Sequence, residues 1–203
     1  MYNIKKFKPT YILIAINIAI YVYTSVAGGN FFETSGEMIW QYGQVNGYIL
    51  YHGWYWQLFT SMFVHASITH LAGNMLFLLI FGLRSEEMFS LPEYLSIYVL
   101  GGLTGNLLSL AFLPLDVPSA GASGAIFAMF GAATIYARRA VGQSIIGALI
   151  FGGFLLLLST GPNVNNLAHL GGLLAGLLIG YVLAIKRKPD NEYKISYSYS
   201  HGF

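Results

Sequence analysis

Three observations predict an all-α polytopic membrane protein, a bundle of six transmembrane helices. Of 203 residues, 56% are hydrophobic and only 9% are charged, a balance foreign to soluble domains. Six apolar runs, each near the ~20 residues that a bilayer demands, follow one another along the chain. All ten Lys and Arg residues fall at the N-terminus, at Arg84, at Arg138 and Arg139, and between Lys186 and Lys194. Two predicted spans separate each neighbouring pair of these places, so every basic group lies on one side, which the positive-inside rule makes cytoplasmic. Cysteine is absent, which removes disulfides and thiolate metal sites, and a net charge of +2 does not point to nucleic acid.

Residues 1–9 carry Lys5, Lys6 and Lys8 ahead of TYILIAINIAIYVYTSVA. A basic start before an apolar core is also the pattern of a signal peptide. This run is long enough to span, however, and more spans follow, so it reads as an uncleaved first helix. Residues 28–57 are aromatic and mildly polar, with Trp40, Trp54, Tyr55 and Trp56 suited to the headgroup layer. The second span, 58–83, is unusual in holding His65, Ser67, Thr69, His70 and Asn74. A third covers 94–113. The fourth, 121–137, starts after Pro114 and Pro118, residues tolerated before a helix but rarely inside one. The fifth covers 141–159 and the sixth 166–185. The expected organisation is a cytoplasmic N-terminus (1–9), one six-helix domain (10–186) and a polar, Tyr- and Ser-rich cytoplasmic tail (187–203), disordered near its end.

The basic anchors set depths. Spans two, four and six all run toward the basic side, and at ~1.5 Å per residue His70, Ser123 and His169 lie roughly 21, 22 and 25 Å above their anchors. Polar groups at one level inside an apolar layer are expensive and by default mark function. Packing can unite them. Gly172, Gly176 and Gly180 form one stripe of small residues, and Gly124, Ala128 and Ala132 another, so helices four and six can approach closely. Ser123 precedes one stripe and His169 the other; facing stripes make them neighbours.

Ser123 lies among the unpaired first-turn N–H groups of the fourth helix, at the positive end of its dipole. Its hydroxyl needs a base, and histidine is the side chain suited to that work near neutrality. All eight Asp and Glu residues fall in loops, at helix ends or in the tail, so a Ser–His dyad is expected instead of a triad. Phe127, one turn from Ser123, is a candidate platform for the imidazole, although aromatics in membrane helices commonly serve packing alone. His70 and Asn74, spaced i and i+4, share a helix face and can donate hydrogen bonds to an oxyanion beside the Ser123 N–H, or simply glue helices. His65 and His70 on one helix would point about 140° apart, and no acidic ligand accompanies them, so no metal is expected. His52 and His201 are expected to be solvated. Ser67, Thr69, Ser119, Asn165 and Asn166 would suit a polar route from outside.

HLAGNM (70–75), GASGAIFAMFG (121–131) and AHLGGLLAG (168–176) resemble, in order and spacing, the rhomboid intramembrane serine proteases. The resemblance covers about residues 10–186. It implies Ser123 as nucleophile, His169 as general base, His70 and Asn74 as oxyanion-hole side chains, Gly121 in the GxSG turn, and Gly172 and Gly176 at the contact of helices four and six. It further implies cleavage of transmembrane substrates near the outer face, at small residues in a segment that unwinds easily; single-span substrates, no cofactor and a prokaryotic plasma membrane are expected. Substrates would enter past helices two and five under a cap near 161–165; membrane lipid is the other partner, and oligomeric state is left open. Two departures stand out. Trp56-Gln57 replaces a common Trp-Arg, which puts the anchoring of the first outer loop in question, and Phe127 replaces a common Tyr. A catalytically silent scaffold would be expected to lack Ser123 or His169. A solute transporter would be expected to show repeat symmetry or buried charge, and neither is visible.

Overall fold

A computed structural model describes residues 8–140, 144–161 and 164–187. Lys5 and Lys6, the start of the fifth span at Val141, part of the expected cap loop (Pro162 and Asn163), His201 and the tail beyond Arg187 lie outside the described residues. Among the described residues the chain forms helices α1 (Pro9–Ala27), α2 (Gly36–Tyr42), α3 (Asn46–His52), α4 (Gln57–Thr60), α5 (Ile68–Met88), α6 (Leu91–Phe112), α7 (Ser123–Ala140), α8 (Ile146–Leu158) and α9 (Asn166–Lys186), with no strand. The six long helices, α1 and α5 to α9, correspond to the six expected spans. By length and composition α1, α5, α6 and α9 are each apolar enough to cross a membrane. α7 carries Arg138 and Arg139 in its last turn, which lower its apolarity, and its Gly and Ala residues let the other helices close around it.

The second span starts ten residues later than expected, at Ile68 and not near 58. Ser67 ends the irregular segment by accepting the N–H of His70 at 3.2 Å, an N-cap that a continuous apolar run conceals. Irregular backbone at this depth is tolerable only when protein satisfies it. Here Thr34 Oγ1 donates to His65 O, Thr34 N to Ala66 O, and Gly121 N to Ser61 O. The connection between α1 and α5 is therefore built into the molecule and not merely laid on the headgroup layer.

α7 is the central helix, packed on α9, α6 and α5. Its stripe faces that of α9: a Cβ at Gly172, Gly176 or Gly180 would collide with the backbone of Gly124, Ala128 or Ala132 respectively. At the far end of the bundle from Ser123, Arg187 pairs with Glu93, donates to Met88 O at 2.5 Å and to the Tyr136 hydroxyl at 2.9 Å. One guanidinium thus gathers the ends of α5, α6, α7 and α9. Beside it the buried Glu86 accepts from Thr10 N at 2.8 Å, placing a carboxylate on the unpaired first turn of α1.

Candidate active site

The turn into α7 depends on glycine. Gly121 has φ 136°, a conformation L side chains rarely adopt. A Cβ there would also stand 3.0 Å from Nε2 of His70 and 3.7 Å from Nδ2 of Asn74. The backbone just before Ser123 is therefore pressed against both α5 side chains. On the other flank, Gly124 backs onto Ala168, with its hypothetical Cβ 3.1 Å from the Ala168 carbonyl oxygen. Ser123 is held between His70 and Asn74 on one side and the residue before His169 on the other.

His169 is buried, 6% exposed, and its ring stacks on Phe127 with centroids 4.6 Å apart and planes inclined by 21°. Its Nδ1 lies 3.2 Å from the hydroxyl of Ser159, the residue that ends α8. Among the described residues the Ser123 hydroxyl makes no hydrogen bond, so the candidate residues Ser123 and His169 are not joined in this conformation. Asn74 donates to the His70 carbonyl at 3.1 Å, which orients its amide while leaving a second N–H uncommitted. Catalytic hydrogen bonds in substrate-free enzymes are often open and tighten only in the complex.

One expectation is corrected. His65 is not on a helix with His70: it precedes the Ser67 cap, and the two rings meet edge to face, 5.2 Å apart, instead of pointing apart. His65 is fully buried, with Nδ1 3.3 Å from Phe63 O. Ser67, Ser119 and Asn165, half-exposed residues expected to suit a polar route, also carry structural hydrogen bonds. Ser67 caps α5. Asn165 caps α9 by accepting from Ala168 N at 2.9 Å, and donates to Ser119 Oγ at 2.7 Å and Ser109 Oγ at 2.8 Å. This clasp ties the start of α9 to the segment that leads into Gly121.

The loop that carries Gln57 is anchored by amides. Gln57 is wholly buried; its Oε1 accepts from Val45 N at 2.9 Å and its Nε2 donates to Trp40 O at 2.8 Å. A guanidinium could not accept the first of these bonds. Gln44 donates to Asn46 and to Asn106 O, Asn46 to Ser109 O, and Asn106 to Leu58 O. Backbone pairing of Gln44 with Ser119, at 2.7 and 2.9 Å, joins this network to the turn before Ser123. Sequence reasoning passed over Gln44, Asn46, Asn106 and Ser159, because isolated neutral polar residues carry no pattern; a concentration of amides around an aromatic loop was the available signal.

The model of the Rhomboid domain matches residues 52–186. The chain belongs to the rhomboid family. It is 34% identical to "Rhomboid protease GluP" of Bacillus subtilis, over 89% of this chain and 36% of that protein. Against "RHOMBOID-like protein 7" of Arabidopsis thaliana it is 35% identical over 75% of this chain and 49% of the relative. Against "RHOMBOID-like protein 2" of the same plant the identity is 40%, over 64% and 43% respectively. The chain thus spans between about a third and a half of the length of these relatives. Family and apolar helices together make this rhomboid an integral membrane protein, and the polytopic helical bundle is the family's fold.

Proposed function

We propose that this protein is an intramembrane serine endopeptidase that cleaves single-span membrane proteins within or beside their transmembrane segments. The observation that carries the reading is the placement of Ser123: its flanking glycines press on the His70–Asn74 face and on Ala168, so α5 and α9 close on α7 around one hydroxyl. Ser123 Oγ attacks the scissile carbonyl while His169 Nε2 takes its proton. The developing oxyanion is met by the Ser123 N–H, at the positive end of α7, and by His70 and Asn74. His169 then returns its proton to the leaving amine, which departs and leaves an acyl group on Ser123. Water, deprotonated by His169, releases the second product. Phe127 holds the imidazole plane throughout.

Residues 10–186 form the protease domain in this reading, with the Arg84 and Arg187 end cytoplasmic in a prokaryotic plasma membrane and Ser123 near the outer face. Substrate reaches it between α5 and α8, which both lean on Phe130 of α7 through Phe81 and Phe151. The test is cleavage of a fluorescently tagged single-span protein in proteoliposomes by wild type, Ser123→Ala and His169→Ala. Cleavage by the wild type alone is expected. Binding without cleavage by all three would instead make the protein a scaffold for membrane clients.

A further inference from the structure

A dyad leaves one requirement unmet. To accept a proton at Nε2, neutral imidazole must carry its hydrogen on Nδ1, and in serine hydrolases with a triad a carboxylate enforces that tautomer. Among the described residues no carboxylate hydrogen-bonds His169. Stacking on Phe127 fixes the ring plane but offers no acceptor in that plane.

We infer that Ser159 is a positioning residue that holds His169 in the Nδ1–H tautomer, so that the carbonyl end of α8 does for this base what a carboxylate does elsewhere. The inference rests on the reading of Ser123 and His169 as nucleophile and base. A hydroxyl has one proton to donate, and that of Ser159 goes to Leu156 O at 2.8 Å, the shorter of its two contacts. Its lone pairs are then left for Nδ1–H of His169 at 3.2 Å. The Ser159 backbone supports the arrangement: at φ −87° and ψ −1° it ends α8, its N–H still bonded to Leu155 O and Leu156 O. The last carbonyls of α8 carry the negative end of its dipole, so the imidazolium formed in the transition state sits where a cation is favoured. The contact joins the base on α9 to a helix that otherwise packs only lightly on the bundle, so the tautomer depends on α8 being in place.

Protein labelled with 15N at histidine, in proteoliposomes, tests this without turnover. The His169 resonances, assigned by their absence in His169→Ala, are expected to report a protonated Nδ1 and a bare Nε2. Ser159→Ala is expected to move them toward the opposite tautomer and to lower kcat about 3- to 10-fold, the factor one neutral hydrogen bond supplies, with KM within about twofold. Ser159→Thr should restore both readouts, and Thr160→Ala, which alters the exposed neighbour, should change neither. Unchanged 15N shifts in Ser159→Ala, or wild-type kcat, would overturn the positioning role while the Ser123 and His169 variants stay inactive. Full cleavage by His169→Ala would instead sink the dyad, and with it any base for Ser159 to position.

Discussion

Helices α7 and α8 are consecutive in the chain and opposite in character. From Gly124 to Ala133 every residue of α7 is buried, and the run is mostly glycine and alanine with a few large side chains. α8 is richer in Leu, Ile and Phe, yet among its described side chains only Gly152 is buried, while Ile150, Leu157 and Leu158 are more than 60% exposed. In water this would be inverted. In lipid, large apolar side chains gain nothing by turning inward, whereas small ones allow backbones to touch, so side-chain size and not hydrophobicity marks the interior. The nucleophile candidate stands on the helix that is clamped on three sides. The candidate base, His169, is reached from the helix that is scarcely held.

Substitutions can widen or erase that contrast. The largest effect is expected from Gly172→Leu, which forces a side chain into Gly124 and parts the two central helices; cleavage should fall below detection with a clear loss of thermal stability, whereas full activity would refute the packing. Next comes Asn74→Ala, which removes a candidate oxyanion donor: turnover should drop by up to ~10²-fold with little change in Tm, and unchanged turnover takes Asn74 out of that role. Phe127→Leu should cost about tenfold in kcat by freeing the imidazole plane, while Phe127→Tyr keeps the ring and should keep the rate; equal rates for both would leave the stack without catalytic weight. The smallest effect belongs to α8. Gly153 has open space where a Cβ would go, so Gly153→Ala should leave cleavage unchanged and raise stability by at most about 1 kcal/mol. A loss there as large as in Gly172→Leu would mean that α8 is gripped as tightly as α7.

Much of this was legible in one dimension. Apolar runs and the four basic anchors located six spans, because the bilayer rewards length and apolarity directly and because positive charge is sorted by side. The two small-residue stripes were visible as four-residue repeats, and their neighbours Ser123 and His169 came with them. The start of α5 was not legible: between 58 and 67 the chain is as apolar as a helix. From 61 to 67 it is held irregular by hydrogen bonds from Thr34 and Gly121, about thirty residues away in one direction and about sixty in the other.

Sequence alone determined the helical membrane class and the family motifs, and it set the expectation of which ends share a side and which polar residues reach one depth, since each of these is counted along the chain. Tertiary structure decided which faces meet. It turned His65 onto His70, made Gln57 a buried anchor and brought Ser159 to His169. The reason is physical: lipid and protein present equally apolar surroundings to a helix, so its hydrophobic pattern does not say which side is which, and a neutral hydroxyl or amide takes its role from whatever partner folding places within 3 Å or so.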